Sequence, residues 1–580
     1  MSIIAGIYCR KENQIIPEQI CAELTKLISR NVNDKIIVFK NERSFFAKTD
    51  INAFGEIGHF TDSDNNISIM TGEPLLSTSQ SRTREAELIQ IHSDLLNSSF
   101  DVLTEANGVF SIANYQNETL NLITDKLGIR PIYYWVDENY IVFASALRII
   151  ENFSFVPKKM NVRAVTEIAG LGYALSDRTA YQNVFLLKPG EVLQVKNKEL
   201  TRSKYWKWDS IKTSTENEET LLQKVYQRFY NAVKERLRND STTVAYLSGG
   251  LDSRCIVGAL YQANVKVHTF NFARPNTQDQ ILGRDFADKA NVIHSEIPKD
   301  SGDHIPDYSA KLADSWNKSA ERNKFPAERP ALAWSGEGGS VALGHVHSSQ
   351  KIVDLMRSGE KDAAIAEYIQ RESIYLSPKL MQKSAVAEPV KLITQGIREE
   401  LDQINHEDEA RNFYLYLMLN DQHRKLAGHF ENIDLHRLEF QLPFFDSEFL
   451  AAIISVPMDM CLRHQFYVKW LYLFPEIVAS VSWQAYPGHV PCPLPIPEGL
   501  SYQWDNNYQQ NEQKSLKQKL IRQGKEILGA EDFPAEILSK NNIRLAVWIH
   551  QTGWRDYSYI IEGAGIYYKY WKICRGNYQL

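Results

Sequence analysis

Cysteine is scarce: the 580 residues include six, Cys9, Cys21, Cys255, Cys461, Cys492 and Cys574, and no two stand at C-x-x-C spacing. That excludes a disulfide scaffold and gives no sign of a zinc knuckle or dithiol redox motif, so the thiols are read as reduced. No apolar run reaches the roughly 18 to 20 residues that cross a bilayer. The opening segment MSIIAGIYCRKEN places its positive charges after its apolar stretch, the reverse of a secretory signal. The expected compartment is the cytoplasm, with no membrane partner. An excess of one charge is also lacking: 65 Lys and Arg against 71 Asp and Glu leave a net charge of −6, which argues against broad contact with nucleic acid. The sequence has no internal repeat or low-complexity tract, no Walker G-x-x-x-x-G-K-[ST] and no dinucleotide-binding G-x-G-x-x-G.

What remains is an ordinary globular composition, 43% apolar and 23% charged, long enough for two to four domains. The N-terminal part alternates short apolar stretches with turn residues, among them IIAGIYC, DKIIVF, NNISIM, NGVFSIANY, LNLIT, PIYYWV and GEVLQV. This pattern predicts stacked sheets, with AELIQIHSDLL one of the few helix candidates. The polar stretch Asp209 to Thr220 has no apolar periodicity and marks a domain boundary. Helical patterns dominate beyond it, interrupted by the loop YPGHVPCPLPIPEG at 486–499, whose prolines lack backbone donors. The expected domains are therefore residues 1–210 and 220–580.

The segment AYLSGGLDSR, residues 245–254, carries the chemistry. A buried strand ends at Leu247, and Gly249 and Gly250 allow a sharp turn and close approach of a ligand. Asp252 and Ser253 then open a helix. Such a turn aims N–H groups and the positive end of a helix dipole at an anion. Ser248 and Ser253 add hydroxyl donors to phosphate, whereas Asp252 needs a cation to face phosphate and so implies Mg²⁺.

S-G-G-L-D-S resembles the PP-loop of ATP pyrophosphatases, and later segments narrow the resemblance to the asparagine synthetase family. These are HTFNFAR at 268–274, WSGEGGSVALG at 334–344 and LEFQLPFFD at 438–446, the last two similar to the family's S-G-E-G-x-D-E and E-x-R-x-P-F-L-D. NGVFSIANY, TDKLGIRPIYY, YIVFASAL and FLLKPGEVL extend the likeness through the first domain. The resemblance implies an N-terminal-nucleophile-hydrolase-like αββα sandwich followed by a PP-loop α/β domain with helical additions. It implies that ATP lies against Leu247, Ser248, Gly249, Gly250, Asp252, Ser253, the backbone around Phe272, Ser335 and Gly336, with Mg²⁺ on Asp252. It implies catalytic roles for Asp252, Glu337 and Glu439, the two glutamates binding or deprotonating an incoming amine, and it allows a homodimer.

The sequence also departs from the family. Where the glutaminase has a cysteine after the initiator Met, this chain has Ser2; the glutamine-holding loop reads GEIGHFTDSD, and the oxyanion-hole loop reads MTGEPLL. With nucleophile and donors both altered, the first domain is expected to be inactive as a glutaminase. In the second domain the family's acidic pair falls on Ser340 and Val341. The lysine expected beyond the helix carrying Lys469 is missing from SWQAYPGHVPCP, which leaves His489 as the nearby ionisable cation.

The expected reaction is adenylation of a small-molecule carboxylate by ATP, with loss of pyrophosphate, then attack by ammonia or a substrate amine with loss of AMP. The alternatives are a tailoring ligase akin to β-lactam synthetases or lasso-peptide cyclases, and a nucleotide-binding scaffold without turnover. The bland reading of Glu439 is an ion pair near Arg437. His345 and His347 read as loop residues rather than a metal pair, and the aromatic tail YYKYWKICRGNY as core packing.

Overall fold

The computed structural model describes all residues except 1, 13, 78–82, 98, 272, 298–312, 314, 315, 317–324, 483, 485–498, 501–509 and 580. Phe272, His489, Cys492 and nearly all of the proline-rich loop therefore lie outside the described residues. The remaining five cysteines are free and buried. No described helix is long and apolar enough to cross a membrane.

The N-terminal half stacks two antiparallel six-stranded sheets. Its strands are β1 (Ser2–Cys9), β2 (Ile36–Lys40), β3 (Ser44–Asp50), β4 (His59–Thr61), β5 (Ile67–Glu73), β6 (Val109–Gln116), β7 (Thr119–Thr124), β8 (Tyr133–Val136), β9 (Tyr140–Ala144), β10 (Met160–Asn161), β11 (Val184–Leu186), β12 (Glu191–Lys196) and β13 (Glu199–Lys204). One sheet runs β11-β8-β9-β1-β3-β2 and the other β13-β12-β7-β6-β5-β4. β1 is buried on both faces, which is why it reads as a continuous apolar run. Ile3, Ala5 and Ile7 face the main core, while Ile4 and Tyr8 pack in the sandwich interior with Phe46, Ile69 and Phe143. The helix candidate forms Arg84–Leu96, capped by Thr83, whose hydroxyl accepts from the Ala86 N–H.

The second half is built on a parallel sheet of β14 (Thr242–Tyr246), β15 (Lys266–Asn271), β16 (Ile293–Glu296), β17 (Leu332–Trp334) and β18 (Glu439–Gln441), ordered β16-β15-β14-β17-β18. The chain leaves β14 to one side and returns on the other, so β14 and β17 flank a topological switch point, where a crevice opens beyond the carboxyl ends of the strands. Helices surround this sheet, and the aromatic tail forms the helix Ser558–Ile573 with Tyr567 and Trp571 buried. Tyr567 Oη lies 2.6 Å from Thr166 Oγ1 of the first half. β19 (Tyr578–Gln579) pairs in parallel with β10, so the last described residues return to the first domain.

The two halves share one apolar core and a buried polar seam. Arg130 donates to Glu439 at 2.7 Å, Gln441 to Glu73 at 2.8 Å, and Arg238 pairs with both Glu73 and Glu87. Tyr133 donates to Glu431 Oε1 at 2.7 Å across the same junction. Burial pushes the Glu431 carboxyl up from 4.5 to about 7, against the lowering effect of that hydrogen bond. Because the folded value is raised, this group's contribution is fully present below about pH 4.5 and is lost as pH rises through 7. The Glu431→Gln variant is expected to recover on the order of 1 to 3 kcal/mol at pH 7 and nothing at pH 4. Melting temperatures across that range check it, and a variant whose pH slope equals that of the parent contradicts it.

Candidate functional site

The turn after β14 is shaped by contacts that exclude a side chain. A Cβ on Gly249 would stand 2.7 Å from the Gln278 carbonyl oxygen, and one on Gly336 would stand 2.4 Å from the Ser253 nitrogen. The second contact lets the loop after β17 press against the start of the helix Leu251–Gln262. Ser253 Oγ accepts from the Ser248 N–H at 3.0 Å, Ser248 Oγ from the Gly250 N–H at 3.2 Å, and Asp279 Oδ1 from the Gly249 N–H at 3.1 Å. The expectation of N–H groups left open for an anion is thus corrected for these three. The two serine hydroxyls occupy acceptor roles that phosphate oxygens can take over.

A cavity of about 420 Å³ lies between the two loops, lined by Ser248, Asp252, Ser253, Ser335, Gly336 and Glu337, and beyond them by Ser340, Gln422 and Lys425. Asp252 is held on both oxygens. Tyr467 Oη donates to Oδ1 at 2.6 Å, and Ser340 donates to Oδ2 from its hydroxyl at 2.7 Å and its N–H at 3.0 Å. Ser340, standing where the family pattern has an acid, therefore orients Asp252 instead of adding charge. Enclosure raises the Asp252 carboxyl above its ordinary value against these donors. Glu337 opens onto the cavity, and desolvation by the cavity walls raises it too, with the Asp252 charge acting in the same direction.

Among the described lining residues, Lys425 is the one cation. Two carboxylates lining one cavity, Asp252 half-buried and Glu337 open to solvent, suit a divalent ion, since Mg²⁺ takes one or two carboxylates and completes its shell with phosphate and water. The residues present fit Mg²⁺ at Asp252, with Glu337 beside it. Among the described residues no group of three or more His, Cys, Asp or Glu forms a metal cluster.

The structure gathers the sequence-predicted Ser248, Asp252, Ser253, Ser335, Gly336 and Glu337 at this cavity, with Leu247, Gly249 and Gly250 in the same turn. Phe272 lies outside the described residues. Glu439 is corrected: it sits at the start of β18, level with Leu332 in the register, away from the strand ends where the cavity opens, and its carboxylate is committed to Arg130. The Arg437 pairing also fails, because Arg437 binds Asp34. His345 meets Arg411 at 2.8 Å and His347 meets Glu372 at 3.1 Å, neither in a metal site.

Sequence reasoning missed Tyr467, Gln422 and Lys425. Asp421, 3% exposed, accepts from Gln422 Nε2 and from Lys425 Nζ, each at 2.8 Å, and so holds both at the cavity. These residues come from a helix far along the chain, and no local motif marks them. They lie in and just after a π-helical segment, Leu417–Gln422, a distortion common at functional sites.

Residues 224–471 match the asparagine synthase family model and residues 88–206 a glutamine amidotransferase domain. The chain belongs to the asparagine synthetase family. Relatives include a putative glutamine-hydrolysing asparagine synthetase 2 of Methanocaldococcus jannaschii, 27% identical over 258 residues, which are 43% of this chain and 48% of the relative. Asparagine synthetase 3 of Bacillus subtilis is 27% identical over 179 residues, 30% of this chain and 28% of the relative. Amidase chry2 of Gibberella zeae is 25% identical over 162 residues, 27% of this chain and 24% of the relative. The match thus spans less than half the length of each of these relatives of the asparagine synthetase family member.

Proposed function

We propose that this protein is a cytoplasmic ATP-dependent carbon–nitrogen ligase that couples a small-molecule carboxylate to an amine, forming AMP and pyrophosphate, without hydrolysing glutamine. The observation that carries this reading is the convergence of the Ser248–Ser253 turn, Asp252 and Glu337 on one cavity at the switch point of a parallel sheet. A carboxylate oxygen attacks the α-phosphorus, the bond to the β-phosphate bridging oxygen breaks, and pyrophosphate leaves. Ser248 and Ser253 donate to the departing phosphates. Asp252 would hold Mg²⁺, which would supply neutralisation of the charge on those phosphates. The amine then attacks the acyl carbon, its proton passes to Glu337, and AMP departs. A raised carboxyl pKa makes Glu337 a stronger base toward that proton. Lys425, which lines the same cavity and is held there by Asp421, is assigned the role of offsetting the developing negative charge.

The absence of glutaminase activity is supported by the surroundings of Ser2. Its hydroxyl is 1% exposed and donates to Asp50 at 2.5 Å. Asp50 also takes Lys48 Nζ at 2.6 Å and pairs with Arg84 at 3.6 Å. Burial opposes ionisation of Asp50, but the amino terminus, Lys48 and Arg84 together hold it well below the usual carboxylate range. Burial lowers Lys48 to about 8. The Arg84 guanidinium donates to the Gly72 and Glu56 carbonyls at 2.8 Å and reaches Ser2 Oγ at 3.4 Å. A buried ion cluster thus surrounds the hydroxyl where an amide substrate would have to enter.

Labelled pyrophosphate exchange into ATP, with Mg²⁺ and a panel of acids beginning with aspartate, tests the ligase. At least one acid is expected to support exchange, with no glutamate released from glutamine. The Lys425→Ala variant is expected to lower exchange by about 10²-fold, as for loss of one charge-stabilising donor, with the fold retained because Gln422 still donates to Asp421. ATP binding without AMP formation under every acid and amine would make the protein a nucleotide-binding scaffold instead.

A further inference from the structure

A second cavity, of about 330 Å³, lies at the junction of the two domains. Its apolar wall includes Trp206, Trp208, Pro189, Ile404 and Leu415, and Lys188, Lys204 and Lys207 stand around it. Its acids are already engaged: Glu400 lies 3.7 Å from Lys188, and Asp209 accepts from the Asn405 N–H at 2.9 Å. The ammonium groups of Lys204 and Lys207 have no hydrogen-bond or ion-pair partner among the described residues. The indoles are fixed in place. Trp208 donates to the Lys126 carbonyl at 2.7 Å, Lys126 Nζ sits 4.0 Å from the Trp206 ring centre, and the two rings meet edge to face at 5.5 Å. A cavity of this size, with an aromatic wall, a polar remainder and exposed lysines at its rim, has the make-up of a small-molecule site.

The helical run that walls this cavity also walls the first one. Leu419, Asn420 and His423 line the junction cavity, while Gln422, Lys425 and Leu426 line the cavity that holds Asp252 and Glu337. All six lie in or within one turn of the π-helical segment Leu417–Gln422. A π turn carries one residue more than an α turn, so a return of this segment to α-helical register would rotate both sets of side chains together.

We infer that the junction cavity is a binding site for a small organic anion, one carboxylate or phosphate group on Lys204 and Lys207 and an apolar or aromatic body against the tryptophans, and that its occupancy alters ATP binding through the π-helical segment. The first domain, its Ser2 site closed by ion pairs, supplies the cations and indoles of this second site. The binding half stands on this cavity alone, and the coupling half rests on the ATP-site reading.

The probe is 8-anilinonaphthalene-1-sulfonate, an aromatic anion, titrated into the full chain and followed by energy transfer from tryptophan. One saturable site is expected, weakened at least tenfold in the Lys204→Glu/Lys207→Glu variant at unchanged melting temperature. Displacement by 3-phenylpropionate marks a carboxylate ligand and displacement by AMP a nucleotide; displacement by neither overturns the assigned ligand class. Equal probe binding by parent and variant overturns the site. The dissociation constant for ATP, measured with and without saturating probe, is expected to change at least threefold in the parent and not in the variant. An unchanged constant in the parent overturns the coupling while leaving both the ligase assay and the binding result to stand on their own.

Discussion

Replacing Arg130 by alanine is expected to destabilise the protein by about 3–5 kcal/mol, the cost of leaving one member of a buried ion pair without its partner. Arg130 is 2% exposed, Glu439 is fully buried, and they meet at 2.7 Å between the two domains. The pair has no reserve: Arg130 Nε and Nη1 and Glu439 Oε2 are buried without hydrogen-bond partners among the described residues. The guanidinium also rests 4.1 Å from the ring centre of Phe430, so truncation removes packing along with charge. Replacing both residues with methionine is expected to restore much of the loss, because apolar groups of similar volume often substitute for a buried pair at little cost. Denaturant unfolding of the parent, the single variant and the double variant checks this. A single variant within 1 kcal/mol of the parent would show that Glu439 finds another cation or takes up a proton.

The largest effect on turnover is expected from Asp252→Asn, which keeps the side chain's shape and removes its charge. Pyrophosphate exchange should fall by about 10³-fold, equivalent to about 4 kcal/mol of barrier. The carboxylate is the Mg²⁺ ligand of the proposed site, and Ser340 contributes no second charge to replace it. One hydrogen bond from Ser340 is lost with the new amide, at about 1 kcal/mol of stability, so the fold should survive. The Tyr467→Phe variant separates charge from orientation: it keeps the carboxylate and removes the 2.6 Å donor to Oδ1, and a loss of only about tenfold, or 1.4 kcal/mol, is expected. Equal losses in the two variants would mean that Asp252 acts through its hydrogen bonds.

Short-range signals made much of this legible. The strands of the first domain announce themselves by apolar runs between turn residues, and the PP-loop by glycines that tolerate backbone approach. Glu439 was misplaced because a motif fixes a residue's position in the chain but not its level along a strand; register with Leu332 puts it at the wrong end of the sheet. Lys425 was invisible for a related reason. An ordinary lysine on a helix gains its meaning only when Asp421 and the fold bring it to the wall of the cavity that Glu337 also lines. The Ser2 cluster is intermediate: the loss of the cysteine is plain in the sequence, but the closure by Arg84 depends on a helix packing over the strand ends.

The pairing of β19 with β10 bears on how the protein is made. During synthesis Met160 leaves the ribosome roughly four hundred residues before Tyr578, a delay of about 20 to 80 s at ordinary elongation rates. Throughout that interval the edge backbone at Met160 lacks its Tyr578 partner, and the Thr166 hydroxyl lacks Tyr567. The first domain therefore completes this edge only when the distant end of the chain arrives.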